Sequence, residues 1–173
     1  MTLNELIRLL QFADSALPVG AFAFSNALET AVEQRVVYDA ATLAEFVGEQ
    51  LRQSATSDSV AALAARRATL AGDYEVLLSI DARLIRSKLS DELRQMLCRM
   101  GRKLAELSVQ TSGDPILVRW RDDIVARRTA GCYPVTQGIV FALGGLDARS
   151  LFAAQQYGVM TTTLNAALRC LRV

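Results

Sequence analysis

The chain has 173 residues, of which 51% are hydrophobic, 6% aromatic and 21% charged, and its 19 basic and 18 acidic side chains leave a net charge of +1. That hydrophobic content excludes a disordered chain, and the length suffices to bury a core without disulfides or structural metals. The charge balance excludes the basic footprint of a nucleic-acid binder.

Helix signals then recur from end to end. Thr2 and Glu5 form a capping box, followed by Leu3, Leu6, Ile7 and Leu10 at helical spacing, and this helix stops near Asp14. The stretch Ser15-Ala16-Leu17-Pro18-Val19-Gly20 is an apolar loop whose proline and glycine fix its geometry. Ser25 is placed to cap a second helix to about Arg35. Asp39 caps a third, with Leu43, Phe46, Val47 and Leu51 on one stripe. A polar join spans residues 54–59. Val60 to Leu70 is helical again and closes at Gly72, and Asp73 opens a helix with Leu77, Ile80 and Leu84 inward.

Ser90 caps a long helix carrying Leu93, Met96, Leu97, Met100, Leu104 and Leu107, which ends at Ser112-Gly113. Asp114-Pro115 supplies an N-cap and a proline at the first helical position of a segment running to about Arg128. After Gly131-Cys132-Tyr133-Pro134 a hydrophobic helix extends to Gly144-Gly145. Asp147 caps the last helix, where Tyr157, Met160, Leu164, Leu168 and Leu171 line one face. Alanine and leucine dominate and no useful strand alternation is found. The expectation is an all-α, single-domain bundle of about eight to nine helices.

The absence of histidine is the most restrictive feature for function. It removes the commonest general base, metal ligand and pH switch together, so Ser-His-Asp and Cys-His sites are impossible. Cys98, Cys132 and Cys170 are widely separated and form no CxxC pair, which points to reduced, buried cysteines in a cytoplasmic protein. No Gly-rich phosphate loop follows a strand. Asp122-Asp123 sits beside Arg119, Arg121, Arg127 and Arg128 and reads as a solvated, ion-paired face rather than a metal site. Met96 and Met100 read as core packing. The start of the chain lacks a basic signal-peptide region, and the longest uncharged apolar run, Val135–Leu146, is too short to span a bilayer. These residues by themselves point to a helical protein with an interaction or scaffolding role, with no catalytic, metal or cofactor site and no membrane or nucleic-acid partner.

The stretch Leu9-Leu10-Gln11 through Leu17-Pro18-Val19-Gly20 to Phe24-Ser25, with Leu28-Glu29 after it, resembles the signature of the UreF family of urease accessory proteins. A second block, Lys88 to Arg94 followed by Met100-Gly101-Arg102-Lys103-Leu104, resembles that family's central helix. A third is Gly131-Cys132-Tyr133-Pro134-Val135 with Gly138, then Tyr157 and Ala166-Ala167-Leu168-Arg169. The resemblance implies a non-catalytic scaffold and co-chaperone for GTP-dependent nickel insertion into apo-urease. It also implies partners, the accessory protein UreD/UreH, the GTPase UreG and a second copy of the chain in a homodimer. It implies interface or regulatory roles for Ser25, Glu29, Arg94, Arg102 and Arg169, and structural-motif roles for Pro18, Gly20, Gly101, Tyr133 and Pro134. Two departures stand out. The family's Ser-x-Gly-Leu-Glu is here Ser25-Asn26-Ala27-Leu28-Glu29, and the chain ends at Val173 where the family continues into a C-terminal tail. The expected domain is therefore UreF-like over residues 1–173, without that tail. A helical adaptor unrelated to urease and a helical small-molecule enzyme remain as alternatives. The enzyme reading is weakened because Asp122-Asp123 is followed by Ile124-Val125-Ala126 and not by a further aspartate.

Overall fold

A computed structural model describes residues 2–14, 17–20, 24–25 and 27–171. Among these residues the architecture is all-α, with no strand: α1 (Leu3–Ala13), α2 (Leu28–Glu33), α3 (Ala40–Thr56), α4 (Asp58–Ala71), α5 (Tyr74–Ser87), α6 (Asp91–Ser112), α7 (Pro115–Val125), α8 (Tyr133–Leu143) and α9 (Ala148–Cys170).

The starts follow from local chemistry. The side chains of Thr2, Asp39, Asp73, Ser90, Asp114 and Asp147 each accept a hydrogen bond from a backbone N–H in the first turn of the following helix. Thr2 and Glu5 satisfy each other's backbone donors in a capping box. The polar join is a single residue, Ser57, between α3 and α4.

Ser25 does not cap α2. Its carbonyl accepts from Leu28 N at 3.0 Å in a turn, and the residue at the helix boundary is Ala27, which offers no capping side chain. Ala27 adopts φ +65°, the left-handed region in which a Cβ is strained. This is the position where the resembled signature carries glycine, and the backbone angle gives the reason.

α8 is the centre of the fold. Every residue from Pro134 to Ala142 is buried, and α4, α5, α6 and α9 pack around it. Its polar side chains are satisfied internally. Thr136 Oγ1 accepts from Trp120 Nε1 at 3.0 Å, and Gln137 Oε1 accepts from Gln155 Nε2 at 2.7 Å. Two glycines set how close its neighbours come. A Cβ built on Gly138 would stand 2.4 Å from the Ala62 carbonyl oxygen of α4. One on Gly101 would stand 1.9 Å from the Gly131 carbonyl oxygen just before α8. Glycine inside a helix costs about 1 kcal/mol relative to alanine, so its place at Gly101 reflects contact and not propensity.

Two apolar stripes found by periodicity face outward. In α1 the inward residues are Leu9, Phe12 and Ala13, while Leu3 (72% exposed), Ile7 and Leu10 (63%) face outward. In α9 the buried residues are Leu151, Ala154, Gln155, Thr163, Ala166 and Ala167. The stripe of larger residues does not line the core: Tyr157, Leu164 and Leu168 (83% exposed) are exposed, and Met160 and Leu171 are half-buried. Ala154, Thr163, Ala166 and Ala167 are small and let α9 lie close to α2, α3 and α4, with Leu151 and Gln155 as the larger side chains buried beside them.

Two substitutions test this reading in opposite directions. Gly101→Ala improves helix propensity but is expected to lose about 1–3 kcal/mol of stability by overpacking against backbone. Ala27→Gly relieves the strain of a Cβ on a left-handed backbone at the α2 boundary and is expected to gain up to about 1 kcal/mol net of glycine's larger unfolded-state entropy. Urea-denaturation midpoints check both; shifts of the reverse sign would contradict the packing and the φ assignment respectively.

Candidate functional site

The N-terminal loop is held by its apolar residues. Leu17 and the buried Val19 pack with Phe12 against the main core, while Pro18 and Gly20 are exposed. Val19 N donates to the Leu17 carbonyl at 2.7 Å and Gly20 takes φ +86°, so the loop turns sharply around the single buried valine. Ser15, Ala16, Ala21, Phe22, Ala23 and Asn26 of the signature lie outside the described residues. Glu29 is exposed in the first turn of α2, where a carboxylate suits the positive end of the helix.

The second block joins α5 to α6. Lys88 is buried, and its Nζ lies 2.6 Å from Asp58 Oδ1 and donates to Ser57 Oγ at 3.1 Å. Arg94 bonds the Lys88 carbonyl and pairs with Asp91, so it closes the α5–α6 corner. Beside this corner is a cavity of about 140 Å³ bordered by Phe12, Leu17, Val19, Met96, Met100 and Tyr133. Met96 and Met100 thus pack at a cavity wall, half-buried. Burial pushes the Tyr133 hydroxyl up to about 12. Pro134 is buried at the start of α8.

The third block is anchored by a residue that sequence reasoning missed. Asp81 of α5 is fully buried. It accepts from Thr129 Oγ1 at 2.6 Å, Gly131 N at 2.8 Å and Cys132 N at 2.7 Å, and so fixes the connection from α7 to α8. Nothing in its local sequence distinguishes Asp81 from a solvated helix residue; only the fold brings it to residues about fifty positions away. The thiols of Cys98 and Cys132 meet at the same place. Their hydrogen bond holds Cys98 below its ordinary value and pushes Cys132 well above, the latter reinforced by burial and by Asp81.

Arg102 stands on the outer side of this seam, paired with Glu106 at 3.0 Å. It lines a concavity of about 620 Å³ together with Arg86, Arg99, Arg127 and Arg128. Arg169 is exposed in the last turn of α9. The structure therefore does not gather Ser25, Glu29, Arg94, Arg102 and Arg169 into one cluster. They lie on α2 and its approach, on α6 and on α9. Among the described residues no group of three or more histidine, cysteine, aspartate or glutamate side chains could hold a metal ion. No helix among them is long and apolar enough to cross a membrane.

The acidic pair beside the arginines is split by the fold. Asp122 is exposed and pairs with Arg121 at 2.7 Å, as expected. Asp123 is not solvated: it is buried, accepts from Tyr74 Oη at 2.8 Å and is gripped by Arg128. Arg119 lies over the Tyr74 ring, 3.6 Å from its centroid, and Tyr74 meets Trp120 edge-on.

The family model for UreF matches residues 37–173. The chain belongs to the UreF family. It is 48% identical over 172 residues to proteins named urease accessory protein UreF 2 from Brucella canis and Brucella abortus, covering 99% of this chain and 71% of each relative. It is 44% identical over 173 residues to urease accessory protein UreF of Yersinia pseudotuberculosis, covering the whole chain and 76% of that relative. The N-terminal signature, residues 9–29, precedes the range of the UreF model but falls inside the full-length alignment to the Yersinia protein. The Asp81-pinned seam and both close-contact glycines lie within the UreF range.

The Tyr74–Asp123–Arg128 cluster predicts the pH response of this UreF chain. Burial raises the Asp123 carboxyl, but hydrogen bonds from Tyr74 and Arg128 and the charges of Arg128 and Arg119 outweigh it and hold the group below its ordinary value. Its stabilisation is therefore present above the unfolded-chain value of about 3.9 and is lost as pH falls through the lower folded value. Tyr74 is pushed up by burial and then by its bond to Asp123 and that residue's charge. Its contribution is present below about pH 10 and is lost as pH rises toward the higher folded value. In urea titrations, Asp123→Asn is expected to flatten the acid limb of stability and Tyr74→Phe the alkaline limb. Unchanged limbs would show that the cluster does not couple to folding.

Proposed function

We propose that this chain is a non-catalytic scaffold and co-chaperone for GTP-dependent nickel insertion into apo-urease, acting in the cytoplasm with UreD/UreH and the GTPase UreG. The observation that carries the reading is membership of the UreF family along essentially the whole chain, with relatives named as urease accessory proteins. The surface supports it. The outward apolar residues of α1 and of the α9 stripe form faces of the kind that mark protein–protein contact. A protein that binds partners through two helical faces, with no histidine to offer the imidazole that suits nickel, acts on this reading by assembling other proteins and leaves the nickel cargo to them.

Glu29, Arg94, Arg102 and Arg169 contribute on this reading as charged groups of the partner-facing surface, where they set specificity and encounter rate more than affinity. Deleting the gene in a urease-positive host is expected to abolish most urease activity in nickel-limited medium. A plasmid-borne copy restores it. Unchanged activity after deletion would overturn the proposal.

A further inference from the structure

The concavity behind the Asp81 seam has an unusual wall. Arg86 comes from α5, Arg99 and Arg102 from α6, and Arg127 and Arg128 from the turn after α7, so three parts of the chain converge five guanidinium groups on one open surface of about 620 Å³. All five are exposed. The one carboxylate in the wall, Asp81, is turned inward and spent on Thr129, Gly131 and Cys132. Arg102 and Arg128 have carboxylate partners on their own flanks, and Arg99 bonds Gln95. No carboxylate among the described residues engages Arg86 or Arg127. Arg127 takes φ +59° at the end of α7, where its N–H and that of Arg128 close the helix on the carbonyls of Ile124 and Asp123. Like charges gathered in this way repel one another, and an anion that takes several forks relieves the repulsion.

Two chemistries could supply that anion, and the backbone decides between them. A phosphate cradle uses free backbone N–H groups. Here those of Gly131 and Cys132 are consumed by Asp81, and those of Arg127 and Arg128 by the carbonyls of Ile124 and Asp123. What remains is side-chain forks, which take carboxylates and phosphates alike; spread over three parts of the chain with no free backbone N–H between them, they suit several separate carboxylates better than one compact phosphate. We propose that this arginine concavity is a docking surface for an acidic segment of a partner protein, whose carboxylates take the forks of Arg86, Arg99 and Arg127. The inference goes beyond the scaffold reading, and it is tested on the isolated chain, so its failure would leave the urease dependence untouched.

Cys98 lines the same concavity and is half-buried, whereas Cys132 beneath it is buried and Cys170 sits elsewhere, beside Leu171. Cys98 is therefore a built-in reporter. The probe is a fluorescein-labelled peptide of about ten glutamates, long enough to offer several carboxylates to separate forks. Binding is followed by anisotropy and its position by N-ethylmaleimide labelling with peptide mass spectrometry. The expected result is binding that weakens as salt rises, with Cys98 labelling slowed several-fold and Cys170 labelling unchanged. Arg86→Glu combined with Arg127→Glu should weaken binding about tenfold or more, while Arg67→Glu on α4 should leave it within about twofold. Absence of Cys98 protection in the unsubstituted protein, or equal weakening by Arg67→Glu, would overturn the proposal. Protection by inorganic pyrophosphate but not by the peptide would overturn it in favour of a phosphate site.

Discussion

The seating of α8 at backbone contact distance from its neighbours is the constraint on which the other features depend. Gly138 lets α8 lie directly on α4, and Gly101 lets α6 press onto the segment that enters α8. Close packing at both places forces that entering segment, residues 129–132, into the interior, where its backbone donors cannot reach water. Asp81 resolves this by taking two of those N–H groups and the Thr129 hydroxyl onto one carboxylate. A buried carboxylate is costly unless its lone pairs are satisfied, and a loop with buried amides is costly unless they are accepted. Each cancels the other's cost, and the pairing ties α5 to the α7–α8 connection across the bundle.

The surface chemistry follows from that tie. Because the connection after α7 is pinned inward at residues 129–132, the preceding turn projects Arg127 and Arg128 outward next to the arginines of α5 and α6. Arg128 then reaches back to Asp123, which is also bonded by Tyr74. A buried acid, a tyrosine and two arginines thus support the rim of the concavity from behind. The same geometry places two thiols face to face under a ring of cations. That environment is suited to anions and poorly suited to a metal ion, whatever the affinity of thiolates for soft metals in isolation.

What could be read from the sequence was local. The caps at Thr2, Asp39, Asp73, Ser90, Asp114 and Asp147 are each settled by a side chain and an N–H two or three residues away, so sequence suffices. Gly101 announced a close approach because a glycine in a long helix needs a reason, although not its partner. Ser25 misled because the capping signal ignores the backbone state of Ala27, which sets the start of α2. The stripes of α1 and α9 were legible as stripes, but not the direction in which they face. Periodicity finds an apolar stripe but cannot say whether it meets this chain's core or another protein's surface. In the C-terminal half of α9 the core takes Thr163, Ala166 and Ala167 and the exterior Leu164 and Leu168, which is the reverse of a size-weighted guess. Asp81 and the convergence of five arginines were illegible, since both arise from contacts between segments far apart in the chain.

The outward faces of α1 and α9 are informative about function in a way that the buried ones are not. A helix whose large apolar residues point outward while small ones pack inward loses burial that a simple rotation about its axis would recover, at roughly 1.5–3 kcal/mol for each fully buried leucine. For α9 such a rotation is opposed by close packing: Ala166 and Ala167 fit beside Leu28 and Val37 of the α2 region, and Thr163 is fully buried, where a leucine would need space that the neighbouring helices occupy. The arrangement therefore leaves apolar area that the bundle itself does not use. On the scaffold reading proposed above, that area is reserved for assembly. It is also chemically distinct from the arginine concavity on α5, α6 and the turn after α7. An apolar face and a cationic one select different partner surfaces, so a single small bundle can engage two proteins without the two competing for the same groups.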